Sequence, residues 1–355
     1  MSNDLKNTDG MEKKHKRRVR YSGTHPRHFS EKYKEHQPEK YADVVEKVIR
    51  KGSTPAGMHI SICVKEILDF LQIQPGQKGL DATLGYGGHT LEMLKCLKGE
   101  GHIYGLDVDP IESAKTKERL KNLGYGEDIL TVKLLNFRNI DQVAAEAGKF
   151  DFVLADLGVS SMQIDNPERG FSYKTDGPLD LRMNPQKGVS AAERLKEVTE
   201  EELYGMLLEN ADEPYAQEIA RAVIRQRRIS PIETTTDLRN VIEKALSFLP
   251  EKDRKEAVKK SCQRSFQALR IDVNSEFEVL YDFLEKLPQV LAPNGRVAIL
   301  TFHSGEDRLV KKSFKQFYKE GIYSEICKDV IRPSQEECSR NSRAKCTKMR
   351  WAVRA

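Results

Sequence analysis

The spacing of hydrophobic positions changes along the chain and predicts two kinds of structure. From residue 78 to residue 156, short apolar runs alternate with segments in which apolar residues recur every three or four positions. The short runs predict buried strands, and the recurring pattern predicts helices between them. The predicted strands are residues 78–82, 102–107, 130–135 and 150–156, with helices at 62–71, 89–98 and after Pro110. This alternation predicts an α/β fold with a doubly wound, mostly parallel sheet.

Residues 190–290 carry helical spacing without any strand pattern. Thr199 and Glu202 form the sequence pattern of a capping box at a helix start. Strand spacing returns only near the C-terminus. The further elements expected are one long helix at 266–287, a strand at 296–302, a helix at 306–318 and a strand at 349–354. We therefore predict an all-helical subdomain at 165–262, inserted between the fourth and fifth strands of a domain formed by 56–164 and 263–355.

Residues 1–55 form a polar, basic extension with little material for a core. We expect it to be partly disordered, with one helix near 39–51. Residues 13–20 carry six basic side chains and no acid, and residues 339–355 carry six more. Such clusters suit nucleic-acid phosphates, although the first is equally well explained as a solvated tail.

Composition limits the class of protein further. The chain of 355 residues is 38% hydrophobic and 32% charged, with a net charge of +5. No apolar run approaches the roughly 20 residues of a membrane span, and no hydrophobic signal core begins the chain. The six cysteines lack paired spacing, which indicates reduced thiols, with a zinc site at Cys338 and Cys346 as the weaker alternative. We therefore expect a cytoplasmic protein that does not contact membranes.

A glycine turn follows the first predicted strand and carries the first chemical motif. Its sequence is Asp81-Ala-Thr-Leu-Gly85-Tyr-Gly87-Gly88-His89, and Asp107 ends the next strand. Glycines at a helix start expose backbone amides to a ligand, and an acid about 20 residues later binds ribose hydroxyls in nucleotide-binding folds. The spacing fits NAD or S-adenosylmethionine. The missing third glycine of Gly-x-Gly-x-x-Gly favours the methyl donor, with a purely structural turn as the remaining alternative.

Polar residues follow the third and fourth predicted strands. Phe137 comes directly after the third strand, where its ring is suited either to contact with an adenine ring or to packing in the core. Asp156 ends the fourth strand and begins a loop, 156–183, rich in Gly, Pro, Asp and Ser. Gln163, Arg169 and Arg182 in this loop are candidates for contacts with a donor or an acceptor. An ordered loop of this length in a compact domain is typical of a functional site.

Two further groups are expected to reach the same crevice. His303 and Ser304 follow the fifth predicted strand, although a lone histidine is more often structural than catalytic. Polar residues at spacings i, i+3 and i+7 lie on one face of the predicted helix 266–287; they are Gln267, Arg270 and Asn274. Such a row of polar residues is typical of either a binding site or a solvent-exposed helix surface.

Together these motifs resemble the 16S rRNA (cytosine-N4)-methyltransferases of the RsmH/MraW type. The resemblance runs from His59 to Arg350. The motifs that carry it are His59…Glu66, Asp81-x-Thr-x-Gly-x-Gly-Gly-His89, Asp107-x-Asp109-Pro110, Asn136-Phe137, Asp156-Leu-Gly-Val-Ser-Ser, Arg169-Gly-Phe-Ser, Asp176-Gly-Pro-Leu-Asp-x-Arg-Met183, Phe266-Gln-Ala-Leu-Arg-Ile, Phe302-His-Ser, Pro333-Ser and Asn341-x-Arg343.

The resemblance implies a class I methyltransferase (Rossmann-like) sheet, S-adenosylmethionine as cofactor, and a cytosine at position 1402 of 16S rRNA as acceptor. Cofactor contacts carried over by motif are Gly87, Gly88, His89, Asp107, Phe137, Asp156 and Gln163. Candidate catalytic residues are Asp156, His303 and Ser304. Candidate substrate-binding residues are Arg169, Arg182, Gln267, Arg270 and Asn274. We expect no metal in the reaction and 16S rRNA or the small ribosomal subunit as partner; a homodimer is compatible with the sequence.

The chain departs from the family's usual sequence mainly on the acceptor side. The departures are Met162, Asp212-Glu213-Pro214, Lys260-Ser-Cys262, Gly305 and the segment Ala344 to Arg350. They indicate a divergent member or paralogue. Three alternatives therefore stay open: a methyltransferase for another RNA site or base, a non-catalytic RNA-binding assembly factor, and an NAD oxidoreductase, which the glycine pattern disfavours.

Overall fold

A computed structural model describes residues 61–355 and contains one seven-stranded sheet. The strands are β1 (Lys78–Asp81), β2 (His102–Asp107), β3 (Leu130–Leu134), β4 (Phe150–Asp156), β5 (Leu291–Thr301), β6 (Tyr323–Ile326) and β7 (Lys348–Arg354). Their order across the sheet is β3-β2-β1-β4-β5-β7-β6. The first five in that order pair in parallel, and the last two pairings are antiparallel. The predicted mostly parallel, doubly wound α/β sheet is confirmed.

Helices precede, separate and cover the strands. They are α1 (Val64–Leu71), α2 (Gly88–Leu97), α3 (Pro110–Asn122), α4 (Ile140–Ala147), α5 (Ser161–Asp165), α6 (Ala191–Glu197), α7 (Glu200–Ala211), α8 (Ala216–Arg227), α9 (Thr235–Ala245), α10 (Glu251–Asn274), α11 (Glu276–Val290), α12 (Ser304–Lys319) and α13 (Gln335–Arg340). Within residues 61–355, no helix is long and apolar enough to cross a membrane. The predicted extension 1–55 and its helix at 39–51 lie outside the described residues.

The alternation of side chains along β4 explains why both faces of the sheet are covered. Phe152 and Leu154 are buried against α1 and α2 on one face. Val153 and Ala155 are buried on the other face, against α4, α11 and α12. Side chains alternate between faces with a period of two, so a strand buried on both sides reads as a continuous apolar run. Each such Phe or Leu contributes about 1.5–3 kcal/mol through burial.

The strand order reverses between β1 and β4, which places their carboxyl ends side by side. Asp81 pairs with Leu154 in register, so Asp156 lies just beyond the end of β1. Ligands of open α/β sheets bind at such a reversal, outside the carboxyl ends of the strands. The topology therefore fixes where a site should be sought.

Helices α6 to α10 enclose a second hydrophobic core between β4 and β5. Phe266 and Leu269 of α10 belong to this core, although they lie beyond residue 262. Helix α10 runs without interruption through residues 262 and 263, where the predicted boundary lies. It therefore connects the helical region to the sheet domain. The boundaries of the inserted subdomain stay a prediction.

Two sequence predictions about elements are wrong. The long helix expected at 266–287 is two helices, because Ser275 adopts a left-handed conformation with φ of 48°. The break lets α10 pack into the helical core while α11 packs on the sheet. The edge strand β6 has no counterpart in the prediction, since it is only four residues long and two of them, Ser324 and Glu325, are polar and exposed.

Candidate active site

A cavity of about 340 Å³ lies at the carboxyl ends of the parallel strands. Its walls come from the glycine turn, the ends of β2 and β4, the loop that begins at Asp156, and α10 and α11. This volume falls at the lower end of the range typical for small-molecule sites. The cavity therefore occupies the position that the strand reversal predicts.

The glycine turn forms one wall because its backbone is held in conformations that favour glycine. Gly85 and Gly87 have φ of +49° and +72°, and Gly87 caps α2. A Cβ added to Gly87 would lie 2.7 Å from Cγ2 of Thr116, so a side chain does not fit there. Gly88 begins α2 and lines the cavity. The turn thus presents bare backbone and a helix start to a ligand.

Asp107 holds the glycine turn in place from the neighbouring strand. Its Oδ2 accepts a hydrogen bond from the amide of Gly85 at 2.8 Å, and its Oδ1 accepts one from the amide of Asp109 at 2.8 Å. Burial raises the pKa of Asp107 to about 6, against the lowering effect of these two amides. Each oxygen keeps a lone pair that a ligand hydroxyl can donate to.

Asp156 and His89 face each other across the cavity wall. His89 Nε2 lies 2.9 Å from the carbonyl of Ile62, and its Nδ1 lies 3.5 Å from Oδ2 of Asp156. Burial raises the pKa of Asp156 to about 6, and the neighbouring His89 opposes this rise. A quarter of the Asp156 side chain is exposed to the cavity, while its Oδ1 has no hydrogen-bond partner among residues 61–355. A buried carboxylate oxygen without a partner is uncommon in folded proteins and makes Asp156 a candidate functional group.

Phe137 and Gln163 both line the cavity, and both also have structural contacts. The Phe137 ring packs edge-on against Phe283 of α11, with centroids 5.2 Å apart. Gln163 completes the capping box of α5 with Ser160 and donates to Oδ2 of Asp109 at 3.0 Å. The two alternatives for Phe137, core and ligand contact, are thus compatible with each other.

Arg169 is placed inside the protein, between Asp109 and the loop that begins at Asp156. Its Nη1 lies 2.6 Å from Oδ2 of Asp109, and the two side chains are only 8% and 0% exposed. Its Nη2 donates to the carbonyls of Arg182 and Met183. Arg169 thus fixes the loop to the start of α3, which Asp109 caps, and its predicted phosphate contact stays a prediction.

The remaining predicted substrate residues also have internal partners. Arg182 forms a two-bond ion pair with Asp180, at 2.8 Å for each bond, and stays about one-fifth exposed. The Gln267 amide lies 3.3 Å from the carbonyl of Asn210 and does not line the cavity. The structure therefore leaves Arg182 accessible from solvent and directs Gln267 toward the helical core.

Arg270 and Asn274 do reach the cavity from α10. Arg270 pairs with Glu276 at the start of α11 through two hydrogen bonds of 2.7 and 2.9 Å. Asn274 donates to the carbonyl of Leu181 and accepts from the amide of Met183, at 2.8 and 2.7 Å. Of the predicted row of polar residues, these two members line the cavity and hold the loop beside it.

His303 and Ser304 lie at the start of α12, next to the cavity residue Glu306. His303 Nε2 lies 3.1 Å from Oε1 of the buried Glu306. Burial raises the pKa of Glu306, but the hydrogen bond and charge of His303 and the charge of Arg270 outweigh this effect and keep the pKa below its usual value. Ser304 is exposed, with Oγ 3.4 Å from Oδ2 of Asp212. His303 is thus held by a buried carboxylate.

The C-terminal segment supplies a wall that the sequence analysis did not assign to the site. Asn341, Arg343 and Cys346 line the cavity, and Arg343 donates to Oδ1 of Asp165 in α5 at 2.8 Å. The sequence offers two signals for this segment, the basic cluster at 339–355, which predicts RNA contacts, and the family motif Asn341-x-Arg343. Antiparallel pairing of β7 with β5 brings this segment back to the cavity.

Comparisons with known proteins show the family to which the chain is similar. A family model described as the MraW methylase family matches residues 56–355. "Ribosomal RNA small subunit methyltransferase H 1" of Lachnoclostridium phytofermentans is 72% identical over 98% of this chain and 95% of its own length. The protein of the same name from Agathobacter rectalis is 68% identical over 97% and 99%. Among solved structures, a SAM-dependent O-methyltransferase from Thermotoga maritima matches with a TM-score of 0.38 and 9% identity, over 84% and 67% of the two chains.

Proposed function

Because the chain belongs to the MraW methylase family, we propose that it methylates small-subunit rRNA with S-adenosylmethionine, at N4 of the cytosine numbered 1402 in 16S rRNA in the family. The names and identities of its relatives support this. The observation that carries the proposal is Asp156, which ends β4 at the strand reversal with one unpaired carboxylate oxygen beside the cavity.

The residues around the cavity fit this methyl donor. S-Adenosylmethionine supplies a sulfonium methyl group that an amine lone pair attacks in line with the S–C bond. Asp107 offers its remaining lone pairs to ribose hydroxyls, and the ring of Phe137 offers a surface for an adenine. The side-chain-free turn at Gly87 and Gly88 lets the ligand approach the backbone closely.

Asp156 acts on the acceptor amine. This amine is a weak nucleophile, because its lone pair is delocalised into the cytosine ring, so its orientation matters. The Asp156 carboxylate accepts a hydrogen bond from N–H and later takes the proton that the methylated nitrogen must lose. A pKa of about 6 leaves the group ionised at neutral pH while making it a better proton acceptor than an ordinary aspartate. Correct positioning of the two reactants supplies about 7–11 kcal/mol in favourable cases.

The acceptor base enters from the side of the cavity where His303 and Ser304 lie. A base must leave its stack to reach a buried donor, which favours a single-stranded or looped RNA segment. The partly exposed Arg182 and the cations of the C-terminal segment suit the flanking phosphates. The partner in this proposal is 16S rRNA or the small ribosomal subunit in the cytoplasm, with the protein active as one chain or as a homodimer.

Replacement of Asp156 by asparagine tests the proposal. We expect Asp156→Asn to lower kcat for transfer of labelled methyl groups to small-subunit RNA by about 10²–10⁴-fold, with donor affinity changed little. Asp151→Asn is the matched control, since Asp151 lies at the opposite end of β4 and accepts from the amide of Lys78. Transfer by Asp156→Asn at the rate of this control would remove Asp156 from the mechanism.

The alternative functions give different results in two further measurements. Nucleoside mass spectrometry of rRNA with and without the gene identifies the modified base; loss of a different modification would indicate another RNA site. Calorimetry with S-adenosylmethionine addresses the assembly-factor alternative, because a protein that binds RNA but no donor would favour that function. The altered acceptor-side residues are the observation that keeps both alternatives in view.

A further inference from the structure

Potential metal ligands meet at a second place, where α1 and α13 come together. The Sγ of Cys63 and carboxylate oxygens of Glu66 and Glu337 lie within 4.8 Å of one another. Cys63 is the N-cap of α1, Glu66 lies one turn later, and Glu337 belongs to α13. The amide of Cys63 donates to Oε1 of Glu337 at 2.9 Å, which ties the two helices together although 274 positions separate the residues.

Within residues 61–355, the charge of this cluster is met by the amide of Cys63, which donates to Glu337, but by no cation. Cys63 is fully buried and both glutamates are half-buried, yet neither glutamate forms an ion pair with a described Lys, Arg or His. The neighbouring cation Arg340 pairs instead with Glu336. Two partly desolvated carboxylates beside a thiol are costly to bring together unless a cation compensates them.

A second group of potential metal ligands differs from the Cys63 cluster in how its negative charge is balanced. Glu276, His303 and Glu306 also lie within 4.8 Å of one another. In that group Arg270 pairs with Glu276, and His303 lies 3.1 Å from Glu306, so its negative charge is already balanced by the protein. The Cys63 cluster lacks such a balance in the described part of the chain.

We propose that Cys63, Glu66 and Glu337 bind one divalent, thiophilic cation, with Zn²⁺ the best fit. A thiolate disfavours Mg²⁺ and Ca²⁺, which prefer oxygen ligands only, whereas Zn²⁺ accepts sulfur and carboxylate oxygen together. On binding, the S–H bond of Cys63 breaks, its proton leaves to solvent, and the sulfur lone pair binds the cation. Bonds of about 2.3 Å to sulfur and about 2.0–2.2 Å to oxygen are compatible with three ligand atoms that lie within 4.8 Å of one another.

The position of the cluster gives the cation a structural role beside the active site. Ile62 precedes Cys63, and its carbonyl holds His89. Asn341 and Arg343 follow α13 and line the cavity. A cation between α1 and α13 would therefore hold two walls of the cavity together without touching the reacting atoms.

Metal titration of the full-length chain tests the assignment. After removal of metals by a chelator, the protein is titrated with Zn²⁺ in competition with a chromophoric chelator, and separately with Co²⁺ to detect thiolate-to-metal absorption. We expect one Zn²⁺ per chain, a loss of affinity above about 100-fold in Cys63→Ser and Glu337→Gln, and no thiolate absorption in Cys63→Ser. Excess Mg²⁺ should not displace Zn²⁺.

Matched variants separate this site from other thiols and acids. Cys96→Ser and Glu336→Gln should bind Zn²⁺ as the unmodified chain does, because Glu336 already pairs with Arg340. If Cys63→Ser fails to fold, the half-buried Glu66→Gln gives the same test. Absence of stoichiometric binding, equal losses in the controls, or loss in Cys338→Ser with retention in Cys63→Ser would overturn the proposal.

Discussion

Replacement of Arg169 distinguishes an internal arginine from one that holds RNA. Arg169→Met keeps most of the side-chain volume but removes the cation that lies 2.6 Å from Asp109. Asp109 is completely buried, and it caps α3 by accepting from the amides of Ile111 and Glu112. The substitution therefore leaves a buried carboxylate whose remaining partners are neutral N–H groups.

The expected cost follows from that burial. Removing one member of a buried ion pair typically costs about 3–5 kcal/mol, because the other charge stays desolvated. Domains have total stabilities of about 5–15 kcal/mol, so Arg169→Met should remain folded but unfold at clearly lower urea concentration. Arg182→Ala is the control: its ion pair with Asp180 is partly exposed, and its loss should cost at most about 1 kcal/mol.

RNA binding at several salt concentrations completes the test. A lost phosphate contact reduces the slope of log affinity against log salt by about 0.7–0.9, whereas a lost internal contact leaves the slope unchanged. We expect Arg169→Met to keep the slope under conditions in which it is folded. Destabilisation below about 1 kcal/mol together with a reduced slope would refute the internal role and restore the phosphate contact.

Two other predictions concern stability. The pKa of Asp156 is raised from 3.8 to about 6, so its ionised form lowers the free energy of unfolding above pH 6. This destabilisation decreases as the pH falls below 6 and is absent below pH 3.8. Asp156→Asn should therefore stabilise the unliganded protein by up to about 3 kcal/mol at neutral pH and by almost nothing near pH 3.5, as measured by urea unfolding; equal effects at both values would contradict this. At the helix break, Ser275→Val should lower the free energy of unfolding by about 1–2 kcal/mol, because φ of Ser275 is 48°. Ser275→Gly should lower it little, and a similar loss in both variants would show that φ is not the cause.

The parts of the site that the sequence predicts are those set by neighbouring residues along the chain. The glycine turn, Asp107 and Asp156 each follow an apolar run directly, and parallel pairing then brings the strand ends together without further information. Their positions around one cavity could therefore be expected from the order of elements alone. Their proposed roles in binding still await the tests above.

The parts that the sequence does not predict depend on distant partners. Arg169 looks like any loop arginine until Asp109, 60 residues away, is found to lie buried beside it. Ser275 has ordinary helix flanks, and only the divergence of the helical core from the sheet explains the break there. The cavity wall at Asn341 and Arg343 similarly depends on the pairing of β7 with β5.

Two departures from the family's usual sequence, at Asp212 and Gly305, lie close together in space although they are far apart along the chain. Asp212 adopts a left-handed conformation at the end of α7, and its carboxylate lies 3.4 Å from the hydroxyl of Ser304. The next residue, Gly305, is packed so closely by Phe277 that an added Cβ would lie 2.5 Å from the ring. Any larger side chain at 305 would therefore require Phe277 to move, so positions 305 and 277 are coupled.

Both departures lie next to His303, on the side assigned to the acceptor. Gly87, Asp107 and Asp156, the residues proposed to contact the donor, keep the family's motifs. Because donor contacts fix the type of reaction while acceptor contacts select the nucleotide, changes confined to the second group alter the choice of target before they alter the chemistry. The position of the modified nucleotide is therefore the part of the proposed function that depends most directly on Asp212, Gly305 and Phe277.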